Sequence, residues 1–325
     1  MRISNRVLLA HRMSAPTEPR IAVLVPCLNE ASTIANVVRD FKTALPGCEV
    51  FIFDNNSTDA TIEVARNAGA HVRTVALRGK GNVIRRMFAD IEADIYVLVD
   101  GDDTYDANAA PQMVATLFDE GLDMVVGTRI SEEQAAYRFG HRFGNVVLTR
   151  CVAGIFGRTF SDMLSGFRVF SRRYVKSFPA HASGFETETE LTVHALELRM
   201  PVAETPTVYK ARPEGSASKL NTYRDGLRIL ITIARLFKTE RPLAFFSIGF
   251  GICALVSILL AIPLFETYIG TGLVPRLPTA LLCVALMLFG AILLICGIVL
   301  DTVTHGRTES KRLAYLAIPG PRRAW

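Results

Sequence analysis

The sequence predicts an α/β fold on a mostly parallel sheet, joined to a pair of helices long and apolar enough to cross a membrane. Three observations carry that reading. Short apolar runs alternate with segments of helical period through the first part of the chain, the pattern of strands joined by crossover helices. Three of those runs end in polar or acidic residues: "PCLNE", "DNNSTD" and "DGDD". Near the C-terminus the stretches "LAFFSIGFGICALVSILLAIPLF" (243–265) and "TALLCVALMLFGAILLICGIVL" (279–300) carry no charge. About 22 residues at ~1.5 Å each span a hydrocarbon core of ~30 Å.

Taken in order, "IAVLVP" (21–26) reads as the first strand, buried on both faces and closed by proline. Residues 29–45 have the period of an amphipathic helix, with Ile34, Val37, Val38, Phe41 and Leu45 on one face. "CEVFIFD" (48–54) is the second strand, "DATIEVARNAG" (59–69) a helix closing at Gly69, and "HVRTVAL" (71–77) the third strand. "GNVIRRMFADIEA" (81–93) gives the next helix, "DIYVLVD" (94–100) the fourth strand and "LDMVVGTR" (122–129) a fifth. "YRFGHRFGNVVLTRCVAGIFG" (137–157) reads as a basic helix. "LRILITIARLFKTERP" (227–242) sets Arg228 and Arg235 among Leu227, Ile231, Ala234 and Phe237, as in a helix lying in the headgroup region and stopped before Pro242.

The chain has 325 residues, half of them hydrophobic, with a net charge of +5. Arg228, Arg235, Lys238 and Arg241 precede the first apolar stretch. His305, Arg307, Lys311, Arg312, Arg322 and Arg323 follow the second, whereas the connector holds only Arg276. The positive-inside rule then makes the stretches a hairpin in the plasma (inner) membrane, with both termini cytoplasmic. The six cysteines show no C-x-x-C spacing, which argues against a zinc site or a disulfide framework. The basic excess suits an anionic membrane surface or phosphorylated substrates, and no nucleic-acid motif accompanies it. The expected layout is a mobile leader (1–19, with Met13 as an alternative start), a cytoplasmic catalytic domain (20–220), the interfacial helix (221–241), the hairpin (242–300) and a basic tail (301–325).

Ligands of parallel sheets bind at the carboxyl ends of the strands. Three polar strand ends therefore face one crevice: Pro26, Leu28 and Glu30 after the first strand, Asp54 after the second, and Asp100, Gly101 and Asp102 after the fourth. A D-x-D pair there can hold Mg2+ or Mn2+, which takes its remaining ligands from phosphate and water and so eases departure of a nucleoside diphosphate. Asp54 is placed to accept from a base N–H and Glu30 to meet base or ribose, while "LRGKGN" offers backbone and Lys80 to phosphate oxygens.

The ordered set "VPCLNEASTI", "FDNNSTDAT", "GKGNVIR", "DGDDTYD", "VVGTR", "DMLSGFRVFSRR", "GFETETELT" and "RPEGSASKL" resembles the family 2 glycosyltransferases of the GT-A fold, over about residues 21–220. Within that family it is similar to the polyprenyl-phosphate sugar synthases typified by dolichyl-phosphate mannose synthase. The resemblance implies a Rossmann-like, mixed but mostly parallel sheet. It implies that Pro26, Leu28, Glu30 and Asp54 cradle the base, and that Asp100 and Asp102 hold the metal and diphosphate. Thr104 stands where some members place a third metal ligand, often Gln. Arg129, Arg142 and Arg212 would contact donor and acceptor phosphates, Lys219 would sit on a loop closing over the donor, and Glu186 and Glu188 would lie on the acceptor side.

The reaction so implied is transfer of a sugar, with inversion, from a nucleotide-sugar to a polyprenyl phosphate, undecaprenyl or dolichyl. A UDP-sugar is favoured over a GDP-sugar, and relatives with short hairpins imply a homo-oligomer. Three alternatives remain open from the residues. "VLVDGDDTY" also fits the D-x-D-x-T signature of haloacid dehalogenase-like phosphatases, with Asp100 as nucleophile and Asp102 as acid/base. A processive polysaccharide synthase would want a Q-x-x-R-W that the chain lacks, and an inactive membrane subunit would not need Asp100, Asp102 and Arg129.

Overall fold

In a computed structural model of the chain, the residues described are 19–130, 150, 152–154, 157, 160–180, 187–210, 231 and 234–321. Arg142, Glu186, Arg212, Lys219 and most of the expected interfacial helix lie outside them.

Seven strands among these residues form one sheet: β1 (Ile21–Cys27), β2 (Glu49–Asp54), β3 (His71–Thr74), β4 (Ile95–Leu98), β5 (Met124–Ile130), β6 (Arg168–Ser171) and β7 (Val202–Val208). Their order is β3-β2-β1-β4-β6-β5-β7. All neighbours are parallel except at β6, which runs antiparallel to both β4 and β5. The first five strands fall where the apolar runs put them, although β4 closes at Leu98 rather than Asp100 and β3 is only four residues long.

The sheet is covered on both faces. Residues of β1 alternate between two cores, Ala22 and Leu24 in one and Val23, Val25 and Cys27 in the other. On one side α1 (Ile34–Ala44) and α4 (Ala110–Asp119) bring Val38, Phe41, Met113 and Leu117, and α2 (Thr61–Asn67) brings Ala65. On the other, α3 (Lys80–Asp90), α5 (Arg172–Ser177) and α6 (Thr187–Glu197) bring Met87, Phe88, Tyr174 and Leu191.

Two helices close the described chain: α7 (Pro242–Thr271) and α8 (Leu277–Leu316). Only 6% and 17% of their most apolar stretches are buried, so they are not core helices of the sheet domain. They pack on each other, and Ser257 Oγ donates to the Cys283 carbonyl at 2.9 Å across the pair. Residues 301–316, read from the sequence as part of a tail, continue α8 as an unbroken helix.

Candidate active site

Because β2, β1 and β4 are adjacent and parallel, their C-terminal ends open on one edge of the sheet, with Asp54 level with Cys27. The chain leaves each strand through a non-glycine residue of positive φ: Asn29 (55°), Asn56 (64°) and Asp103 (57°). Asn and Asp tolerate this conformation best, and its concentration at one edge is a mark of a functional site. Side chains tie the three loops together. The Asn29 amide donates to Ser57 Oγ (2.9 Å), Asn29 Oδ1 accepts from the Thr58 amide (2.8 Å), and Thr33 Oγ1 donates to the Gly101 carbonyl (2.7 Å). Asn55 binds the "LRGKGN" loop through the carbonyls of Val75 and Leu77 (3.0 and 2.8 Å) and the Gly79 amide (2.7 Å).

Four carboxylates converge in this frame. Asp54 is fully buried; its Oδ2 accepts from the Ser57 amide at 3.1 Å, and Oδ1 has no partner among the described residues. Glu30 Oε2 is likewise buried and unpartnered. Burial, with the nearby charges of Asp100 and Asp102, lifts the Glu30 carboxyl to about 8. A buried acceptor left unmet costs about 1–3 kcal/mol, which a ligand supplying donors would recover. Asp102 Oδ1 accepts from Thr104 Oγ1 at 2.6 Å, so Thr104 orients Asp102 with the hydroxyl that the resemblance assigned to a metal.

Lys80 does not point into solvent. Its Nζ lies 2.5 Å from Asp100 Oδ1 and 2.5 Å from Glu188 Oε1, at the first turn of α6. Burial alone would lower its pKa, but the two carboxylates outweigh that and hold it above the ordinary lysine range. At two glycines a Cβ would force a neighbouring carboxylate to move: on Gly101 it would overlap Glu30 Oε2, and on Gly166 Asp100 Oδ2. The Gly166 amide donates to the Tyr105 hydroxyl at 2.8 Å, which fixes the loop before β6 beneath Asp100.

The edge thus brings together Pro26, Leu28, Glu30, Asp54, Lys80, Asp100, Gly101, Asp102 and Glu188, with Leu28 37% exposed at the rim. Arg129, near the end of β5 on the same edge, has its fork on a carboxylate: Nε and Nη2 donate to Asp162 at 2.7 and 2.8 Å, and its guanidinium lies 5.5 Å from the Tyr209 ring centroid. Sequence reasoning gave no role to Asp162, Gly166 and Tyr105, and it put Asn55 at the polar end of the second strand without its hold on the "LRGKGN" loop. "DMLSGF" carried the first two, but only the fold shows that this segment underlies Asp100.

Among the described residues no group of three or more His, Cys, Asp or Glu stands ready for an ion. A pair such as Asp100 and Asp102 still fits Mg2+ or Mn2+, which takes one or two carboxylates and fills the rest from phosphate and water. The Lys80 ammonium against Asp100 shows that this position attracts a cation.

The profile described as "Glycosyl transferase family 2" matches residues 22–178. The chain is 35% identical over 305 residues to glycosyltransferase AglJ of Haloferax volcanii, covering 93% of this chain and 99% of that one. It is 26% identical to a dolichyl-phosphate hexose transferase of the same organism, over 70% of this chain and 99% of the other. A crystal structure of glucosyl-3-phosphoglycerate synthase from Mycobacterium tuberculosis in complex with Mg2+ and UDP has a TM-score of 0.55 at 25% identity, over 68% of this chain and 79% of that one. The phosphatase alternative also wanted its nucleophile on the first strand, whereas Asp100 follows β4. Likeness to AglJ over almost the full length, on a mostly parallel sheet whose acidic edge lies inside the matched region, places the chain in the family 2 glycosyltransferases, with their GT-A fold.

Proposed function

We propose that the protein is an integral membrane enzyme that transfers a sugar from a nucleotide-sugar, UDP- rather than GDP-linked, to a polyprenyl phosphate at the cytoplasmic face, with inversion. The observation that carries this reading is the acidic edge joined to two exposed apolar helices in one chain. Likeness to a dolichyl-phosphate hexose transferase supports the lipid acceptor. Likeness to a synthase crystallised with Mg2+ and UDP supports the donor and the metal. That synthase has also been crystallised with phosphoglyceric acid, a small phosphorylated molecule; the exposed helices favour a lipid phosphate here.

In this reading the layout is a catalytic domain (20–220), an interfacial helix (221–241) and a transmembrane hairpin (242–300), within a homo-oligomer. Pro26 and Leu28 line the base pocket, and the unmet oxygens of Asp54 and Glu30 accept from the nucleoside. Asp100 and Asp102 hold Mg2+ or Mn2+, which neutralises charge on the departing diphosphate. Lys80, already beside Asp100, supplies a second positive charge there. Arg129, Arg142, Arg212 and Lys219 bring donor and acceptor phosphates together, with Glu186 and Glu188 on the acceptor side. An acceptor phosphate oxygen attacks the sugar C1 while the bond from C1 to the diphosphate oxygen breaks, and the nucleoside diphosphate leaves with the electron pair. A phosphate monoester has a second pKa of about 6 and is largely ionised at neutral pH, so positioning rather than a strong base carries the step.

The test is transfer of labelled sugar into the organic phase by the purified protein with a polyprenyl phosphate, across UDP- and GDP-sugars, with Mn2+, Mg2+ or EDTA. Metal-dependent transfer from one donor, lost in Asp102→Asn, is expected. Transfer that persists in EDTA, or none from any donor, would overturn the reading.

A further inference from the structure

The part of α8 beyond the apolar stretch docks on the sheet domain through buried carboxylates. Glu197, the last residue of α6, accepts from Thr308 Oγ1 (2.7 Å) and lies 2.5 Å from Lys311 Nζ, with side chains only 5% and 13% exposed for Glu197 and Lys311. Asp123, just before β5, is fully buried and accepts from the Tyr315 hydroxyl (2.8 Å), Ser171 Oγ (2.7 Å) and the Arg173 Nε and Nη2 (2.5 and 2.8 Å). The Arg173 guanidinium also stacks on the Tyr315 ring at 4.7 Å. Arg307 reaches Glu240, in the segment before α7, at 3.3 Å.

The opposite end of α6 carries Glu188, which grips Lys80 and through it Asp100. Between the two ends, Leu191, Thr192, Val193, His194, Ala195 and Leu196 are all buried, and Arg168 Nη1 donates to Thr192 Oγ1 at 2.9 Å. Packed on nearly every side, α6 is a stiff rod of about 14 Å from the acidic edge to the docked end of α8.

From this geometry we infer that Glu197 and Lys311 are positioning residues. Through α6 they fix the height and tilt of the acidic edge above the bilayer, so that a phosphate held in the membrane meets the donor. The inference rests on the membrane and lipid-acceptor reading above. It separates two properties: the donor site is built by the strand ends and does not need the clasp, whereas delivery of a membrane-held acceptor does.

The experiment uses the full chain in vesicles containing anionic phospholipid. The double variant Glu197→Gln/Lys311→Met removes both charges, leaves no buried ion unpaired and keeps an acceptor for Thr308. Two acceptors are compared: a long polyprenyl phosphate in the vesicle and a two-isoprene phosphate that is soluble in water. Misplacement of reacting groups by about 1 Å can cost on the order of 100-fold, so kcat/KM for the long acceptor is expected to fall tenfold or more. UDP binding by calorimetry and transfer to the short acceptor stay at wild-type values, and Lys311→Arg alone retains long-acceptor transfer. Unchanged transfer to the long acceptor would overturn the inference. So would a parallel loss of UDP binding and of both transfers, which marks a merely structural contact. A wild-type protein that uses neither acceptor would instead refute the acceptor reading before any variant is made, and the inference with it.

Discussion

Replacing Lys80 by methionine removes an ammonium but keeps most of the side-chain stem, so it isolates the charge between Asp100 and Glu188. Both contacts are 2.5 Å long, and the three side chains are 14%, 29% and 8% exposed for Lys80, Asp100 and Glu188. Removing one partner from a buried ion pair costs about 3–5 kcal/mol. Water reaches Asp100, which favours the lower end, about 3 kcal/mol. In a domain of 150–250 residues each 1 kcal/mol moves Tm by about 2–4 °C, so Lys80→Met should melt roughly 6–12 °C below the wild type in EDTA. The two carboxylates would then face each other with no cation between them. Mn2+ should therefore raise Tm further in the variant than in the wild type, where the ammonium competes for Asp100; saturation at about 100 times Kd adds ~2.7 kcal/mol. Thermal unfolding followed by circular dichroism in detergent, with EDTA or Mn2+, reads both effects. Equal melting of variant and wild type in EDTA would refute the argument that this lysine neutralises a buried acidic site.

His194 gives a pH dependence of definite sign. Burial, with some repulsion from Lys311, lowers its pKa to about 3; Nε2 faces Ser177 Oγ at 3.1 Å, Nδ1 has no partner among the described residues, and the rings of Tyr174 and Phe178 enclose it. The neutral form is favoured by folding, so this stability is complete above about pH 6.5 and falls as pH drops toward 3; at pH 5 roughly 2 kcal/mol is lost, a slope that chemical denaturation should find between pH 7 and 5 and that His194→Gln should flatten. Gly101→Ala would drive a methyl into Glu30 Oε2 and should weaken UDP binding by calorimetry at least tenfold, with an overpacking cost of about 1–3 kcal/mol in denaturation. Arg129→Lys keeps the charge but cannot bind both Asp162 oxygens in the same plane, so a loss of about 1.5–3 kcal/mol is expected, and an unaltered denaturation midpoint would contradict the pairing.

What the sequence discloses depends on how each element is buried. Buried parallel strands are continuous apolar runs, and β1, β2 and β4 stand out for that reason; α1 stands out because it is buried on one face only, along Ile34, Val37, Val38 and Phe41. The helix α6 has no such stripe. "TETELTVHALE" is buried on nearly every side, with threonines, Glu188 and His194 among its inward residues, and pattern reading assigns it no helix. The strand β6 is four residues long and opens with Arg168, fully buried on the Ser165 and Met163 carbonyls and Thr192. No period-2 signal survives so short a run. The acidic strand ends were legible because topology alone sends them to one edge, whereas the Lys80 partnership joins residues far apart in the chain and is a product of packing.

The same limit applies to the two apolar helices, with a sharper consequence. Hydropathy locates the end of an apolar run, near Leu300, but not the end of the helix, because helix continuation over "DTVTHGRTESKRLAYL" is decided by what those polar residues meet. They meet buried carboxylates. Of the basic residues counted above toward a cytoplasmic C-terminus, Arg307 and Lys311 are ion-pair partners of Glu240 and Glu197. Their charge is therefore balanced in the folded protein, and the field they offer an anionic leaflet is weaker than a tally of lysines and arginines suggests. The pairing nevertheless favours the same topology. Glu197 and Asp123 lie on the sheet domain, so in the proposed hairpin α8 reaches them only if its C-terminal end and that domain share one side of the membrane. Docking thus sets the shared side independently of net charge, and it holds although Arg307 and Lys311 are neutralised by Glu240 and Glu197.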